Sequence, residues 1–142
     1  MELALEEARA AAVRGEVPVG CVVVRGGEVI ARAGNRTFAD KDPTAHAELL
    51  AIRQAATALG SERLADCDLY VTLEPCAMCA AAMSFARIRR LYFGAGDPKS
   101  GAVENGVRFF SAAICHHRPE VYGGINESEC AALLRDFFAA RR

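Results

Sequence analysis

A chain of 142 residues, 52% hydrophobic and 25% charged, has the composition of one compact soluble domain over residues 1–142 with enough length to bury a core. No apolar run approaches the about 20 residues that cross a bilayer, and the start Met1-Glu2-Leu3-Ala4-Leu5-Glu6-Glu7 is acidic and amphipathic rather than a leader, so a cytoplasmic protein with no membrane role is expected. A net charge of −1 argues against a general nucleic-acid binder, although residues 1–85 carry 8 Lys/Arg against 12 Asp/Glu and residues 86–142 carry 9 against 6.

Met1 to Arg14 reads as a helix with Leu3, Leu5, Ala8, Ala12 and Val13 as its apolar stripe and Gly15 as its stop. Val17 to Val24 is almost continuously apolar and β-branched, as suits a strand covered on both faces. Arg25-Gly26-Gly27-Glu28 reads as a hairpin turn, and Val29 to Ala33 as the returning strand. After a polar loop from Asn35 to Pro43, helical periodicity resumes over Thr44 to Leu59 and ends at Gly60. Asp68 to Leu73 is a short strand; Pro75 opens a helix reaching about Ala86; Arg90 to Ala95 is a further strand. Residues 96–118 read as loop with a helical piece near Val107 to Ser111, followed by a weak strand at Glu120 to Tyr122. Asn126 or Ser128 caps a last helix through Arg142, with Cys130, Leu133, Leu134, Phe137 and Phe138 facing inward. This order predicts an α/β fold: a three-layer α/β/α sandwich around a central mixed five-stranded sheet.

Of the six cysteines, at 21, 67, 76, 79, 115 and 130, only Cys76 and Cys79 have metal-like spacing, and nothing suggests a disulfide framework. Cys21, Cys67 and Cys130 read as small buried hydrophobes. Pro75-Cys76-Ala77-Met78-Cys79 begins 29 residues after His46-Ala47-Glu48. Each motif alone is weak. A lone Cys-x-x-Cys can be a redox pair, though proline then normally stands between the cysteines, or half of a four-cysteine site, for which Cys67, Cys115 and Cys130 supply no second pair. Together they match a catalytic zinc: two thiolates and an imidazole, with the fourth tetrahedral position left to water. Both cysteines project from the same face at a helix start, where the helix N-terminus favours thiolates. Two thiolates cancel the charge of Zn²⁺ and acidify its water less than three histidines do, so a nearby base is needed. Glu48, two residues from His46, is placed to take that proton and return it. The assignment is one Zn²⁺ per chain on His46, Cys76 and Cys79, with Glu48 catalytic. Cys115-His116-His117 is a further Cys/His group, open to a second metal site, an RNA-facing loop or a plain loop.

The pairing His-x-Glu with Pro-Cys-x-x-Cys is the signature of zinc nucleobase deaminases. The chain resembles the cytidine deaminase superfamily, and within it the bacterial tRNA adenosine deaminases. The likeness runs from Glu16-Val17-Pro18-Val19-Gly20 through Leu69-Tyr70-Val71-Thr72-Leu73-Glu74-Pro75 and Gly96-Asp97-Pro98-Lys99 to Glu129–Phe138. The resemblance implies hydrolysis of adenosine to inosine at the tRNA wobble position by a homodimer, with the tRNA anticodon stem-loop as substrate. It also implies that Asn35 contacts the base, that the backbone around Ala47 and Cys76 completes the pocket, and that Asp97 touches the RNA beside the target. Asn35 and Asp97 also read as ordinary turn residues.

Two other functions stay open on sequence alone. A deaminase of a free base or nucleotide shares every zinc residue and differs only around Asn35, Asp97 and the C-terminus. A non-catalytic zinc-stabilised binding module would have no use for Glu48. The helix after Pro75 is apolar nearly all round, which one sheet cannot cover, and a second chain would cover the remainder.

Overall fold

The computed structural model describes residues 1–141. The elements are α1 (Glu2–Val13), β1 (Gly20–Arg25), β2 (Glu28–Gly34), α2 (Ala47–Leu59), β3 (Cys67–Leu73), α3 (Ala77–Ala86), β4 (Arg90–Ala95), a 3-10 turn at Phe109–Ser111, β5 (Glu120–Tyr122) and α4 (Glu127–Ala139). The strands form one mixed sheet in the order β2-β1-β3-β4-β5. β1 is antiparallel to β2 and β3, while β3, β4 and β5 run parallel.

Strand alternation separates two faces. Cys21 and Val23 of β1, Leu69 and Val71 of β3, and Leu91 and Phe93 of β4 meet Ala51 and Ala55 of α2 and Ala80 and Met83 of α3 in one buried cluster. The opposite face is covered by α1 over β1 and β2 and by α4 over β4 and β3. There Leu5, Ala95 and Cys130 form a smaller cluster. The expected α/β/α layering is therefore present. Truncating a fully buried member of the large cluster, such as Leu69, costs about 2–5 kcal/mol.

Register brings four chain segments to one edge of the sheet. Gly20 pairs with Gly34, Cys21 with Val71 and Leu73 with Ala95. The start of β1 and the ends of β2, β3 and β4 therefore emerge side by side. Residues 17–19, 35, 74 and 97 are neighbours in space although they span 80 positions of sequence. The hairpin turn that sets this register has Gly26 at φ 56° and Gly27 at φ 79°, the positive pair that a tight β1–β2 connection needs.

Several boundaries differ from the sequence expectation, each for a local reason. The first strand begins at Gly20 rather than Val17, because Pro18 has no N–H to give a ladder and the Val19 N–H turns back to the Val17 carbonyl at 2.8 Å. The helix expected from Thr44 begins at Ala47. Asp42 Oδ1 accepts the Thr44 N–H and hydroxyl, which makes a turn instead. Pro75 lies one residue before the N-cap, Cys76, and not in the first turn; its carbonyl accepts the Ala102 N–H at 2.9 Å. In α1 the buried residues are Ala4, Leu5, Ala8 and Ala11, leaving Val13 exposed. Asn126 stands at the N-cap of α4 without a side-chain capping bond; its Nδ2 donates to Glu2 instead. That helix ends at Ala139, with Phe137 buried and Phe138 exposed, and Arg142 lies outside the described residues.

Candidate metal and active site

His46 and Cys76 occupy equivalent positions. Each is the N-cap of a helix, α2 and α3 respectively, and each has extended backbone angles (φ −76°, ψ 149° and φ −74°, ψ 175°). The two helix N-termini thus point at one spot, and Cys79, in the first turn of α3, reaches the same place. His46 Nδ1 lies 3.7 Å from Cys76 Sγ and 3.6 Å from Cys79 Sγ. Tetrahedral zinc, with bonds of about 2.0–2.1 Å to nitrogen and about 2.3 Å to sulfur, separates nitrogen from sulfur by about 3.6 Å. The three donors therefore suit zinc in both kind and spacing. They are the one metal-capable group of His, Cys, Asp and Glu found among the described residues.

The thiols are electrostatically poised for a cation. A hydrogen bond from Cys79, with help from His46, pushes the Cys76 thiol down to about 4. The proton left between the sulfurs stays with Cys79, whose thiol is raised by that same bond and by burial. A bound metal takes that proton's place.

Glu48, 4% exposed, sits in the first turn of α2 beside this cluster. Burial pushes its carboxyl up to about 7, against the opposing pull of its own amide and His46. The cluster opens on a cleft of about 260 Å³. Val17, Val19 and Leu73 give the cleft apolar walls, and Asn35, Thr37, Glu74, Asp97 and Ser100 give it polar ones.

The sequence-selected residues take distinct places here. Asn35 lines the cleft, and its Oδ1 accepts the Ala47 N–H at 2.8 Å, which ties the end of β2 to the start of α2. Ala47 is fully buried and its N–H is given to Asn35, so its part is to hold that side chain. Asp97 also lines the cleft while acting as a turn residue: its Oδ1 accepts the N–H groups of Lys99 and Ser100. Cys115, His116 and His117 do not converge. Cys115 is buried against Ser84, His116 is exposed, and His117 Nε2 donates to the Ile88 carbonyl at 2.7 Å. Cys21, Cys67 and Cys130 are buried and unbridged.

Two buried carboxylates, Glu74 lining the cleft and Glu16 bonded to the loop that carries Thr37, were not singled out by sequence reasoning. Glu16, 1% exposed, accepts the N–H groups of Phe38 and Ala39 and so holds the loop that leads from Asn35 toward His46. Glu74, 2% exposed, gathers the loop that carries Asp97. The available signal was an acidic residue directly abutting an apolar stretch, Glu16 before Val17-Pro18-Val19 and Glu74 after Val71-Thr72-Leu73.

A paired set of helix-opening metal donors with a buried acid, at the carboxyl edge of β3, is the architecture of the zinc-dependent deaminases. Residues 1–95 match the model of the cytidine and deoxycytidylate deaminase zinc-binding region, and the chain belongs to that family. Within it, the chain stands with the tRNA-specific adenosine deaminases. It is 66% identical to the tRNA-specific adenosine deaminase of Agrobacterium fabrum over 142 residues, covering all of this chain and 93% of that one. A solved structure from work on A-to-I editing by tRNA:A34 deaminases at the wobble position superposes with a TM-score of 0.93 at 67% identity, over 94% of this chain and 97% of that one. Guanine deaminase from Nitrosomonas europaea shares the fold, with a TM-score of 0.83 at 24% identity over 97% of this chain and 82% of that one.

Proposed function

We propose that the protein hydrolyses adenosine to inosine at the wobble position of tRNA, with one Zn²⁺ per chain held by His46 Nδ1, Cys76 Sγ and Cys79 Sγ. The observation that carries the chemistry is the three-donor cluster at zinc spacing beside the buried Glu48. The substrate follows from 66% identity to a tRNA-specific adenosine deaminase over the whole chain. The free-base alternative has weaker support, since the guanine deaminase likeness at 24% identity is one of fold alone.

Zinc, when bound, acidifies the attacking water and so permits attack at neutral pH. With zinc bound, Glu48 would take one proton from that water and give it to the purine ring nitrogen, then take the water's second proton and give it to the amine, which leaves as ammonia as the carbonyl of inosine forms. A carboxyl raised to about 7 is suited to both accepting and donating. Asn35 Oδ1 is occupied by Ala47, which leaves Nδ2 to donate to a ring-nitrogen acceptor of the base. Val17, Val19 and Leu73 pack against the base and exclude water around it. A loop base enters without the few kcal/mol needed to extract one from a duplex, which favours the anticodon stem-loop as substrate.

The proposal includes a cytoplasmic homodimer; among the described residues no helix is long and apolar enough to cross a membrane. Supporting the dimer, Leu49, Ile52 and Ala56 of α2 and Ala82 and Phe85 of α3 line an outward apolar groove, and Phe85 is 73% exposed. Phe85→Glu should shift a dimer to monomer by light scattering at micromolar concentration, and a monomeric wild type would refute it. The enzymatic proposal is tested by incubating the zinc-loaded protein with a tRNA bearing adenosine at the wobble position and sequencing for inosine. Inosine there and no turnover of guanine are the expected results.

A further inference from the structure

The segment 96–108, between β4 and the 3-10 turn, has no helix or strand, yet it forms one side of the cleft through Asp97 and Ser100. Its backbone closes around one side chain. Glu74 Oε1 accepts the Asp97 N–H at 2.8 Å and Asn105 Nδ2 at 2.7 Å. Glu74 Oε2 accepts the N–H groups of Val103, Glu104 and Asn105 at 3.1, 2.8 and 3.0 Å. Both ends of the loop are thereby bound to a single carboxylate. The fit is close: a Cβ on Gly101 would lie 2.5 Å from Glu74 Cδ.

Five donors on one buried carboxylate is more than burial alone requires, since a packed apolar residue would stabilise the spot without desolvating a charge. All five come from one irregular loop that lines the cleft. The residue itself is held on the rigid side, where its N–H donates to the Ala95 carbonyl and Pro75 follows it toward Cys76. Lys99 and Arg108, both exposed, put two cations on this same loop, suited to the phosphates beside a target base.

We propose that Glu74 is a positioning residue for substrate recognition: its carboxylate shapes the 97–105 loop into the RNA-side wall of the cleft and takes no part in metal binding or proton transfer. This rests on the substrate assigned above. Glu74→Gln keeps the size but turns an amide toward N–H donors that need an acceptor, which leaves part of the set unsatisfied. With the zinc-loaded enzyme and an anticodon stem-loop, KM should rise by about tenfold or more while kcat stays within about threefold. Zinc content should stay at the wild-type level, and amide exchange at Asp97, Val103, Glu104 and Asn105 should quicken relative to the sheet. Asn105→Ala, which removes the one side-chain bond to Glu74 and keeps the four backbone N–H bonds, should move KM and exchange in the same direction by a smaller factor, and covers the case of a Glu74 variant that does not fold. A fall in kcat at unchanged KM, a loss of zinc, or unaltered exchange at those amides would overturn the positioning role. A wild type inactive on the stem-loop refutes the substrate assignment instead, and the exchange measurement then still decides whether Glu74 shapes the loop.

Discussion

Glu48 and Glu74 are both buried carboxylates at the same cleft, at 4% and 2% exposure, and they are in opposite electrostatic states. At Glu74 burial pushes the carboxyl up, but hydrogen bonds from the backbone of Asp97, Asn105 and Glu104 and from the Asn105 side chain outweigh it and hold the group below its ordinary value. At Glu48 burial wins over the pull of its own amide, of His46 and of Cys79, and the carboxyl rises to about 7. The difference lies in stronger desolvation at Glu48 together with the larger number of N–H groups aimed at Glu74. A carboxylate wrapped in donors is a permanent anion that organises backbone. One deprived of donors can exchange protons.

That contrast is broken most severely by removing the feature that gives Glu48 something to act on. Cys79→Ser should lose most of the zinc and all measurable deamination, checked by metal analysis beside the inosine assay; full activity after complete metal removal would refute the zinc reading. Next in size, Glu48→Gln should retain zinc and fold while kcat falls by about 10²–10⁴-fold. The same Glu-to-Gln change at position 74 should act on KM, so the two variants measured side by side separate proton transfer from positioning. A Glu48→Gln enzyme within about threefold of wild type would reassign that residue to structure.

Smaller effects sharpen the picture of the loop. Asp97→Asn keeps the oxygen that accepts from Lys99 and Ser100 and removes only the charge. It should leave zinc and the turn in place and weaken discrimination between matched RNA and DNA hairpins, since a carboxylate next to a phosphate backbone is tolerated where it accepts from a ribose 2′-OH. Equal preference in variant and wild type would remove Asp97 from recognition. The smallest effect on chemistry is expected at Glu16→Ala, which frees the Phe38 and Ala39 amides of the loop after Thr37. Its main consequence should be thermal: Tm should fall by about 2–4 °C for each kcal/mol lost in a domain of this size, with kcat little changed.

Sequence by itself determined the candidate metal group of His46, Cys76 and Cys79, the acid beside it and the order of elements, because each depends on short-range spacing. Cys76 and Cys79 share a helix start, and Glu48 lies two residues from His46; apolar periodicity marks each strand and helix without reference to the rest of the chain. It could not determine that Ala47 would give its N–H to Asn35, that Pro75 would stand outside the α3 cap, or that Glu16 and Glu74 would each hold a loop. Glu74 meets donors 23 to 31 positions away across an irregular segment, and no periodic pattern encodes such a contact. Sheet register decided these pairings, by bringing the start of β1 and the ends of β2, β3 and β4 to one edge and leaving buried carboxylates to satisfy the loops that leave it.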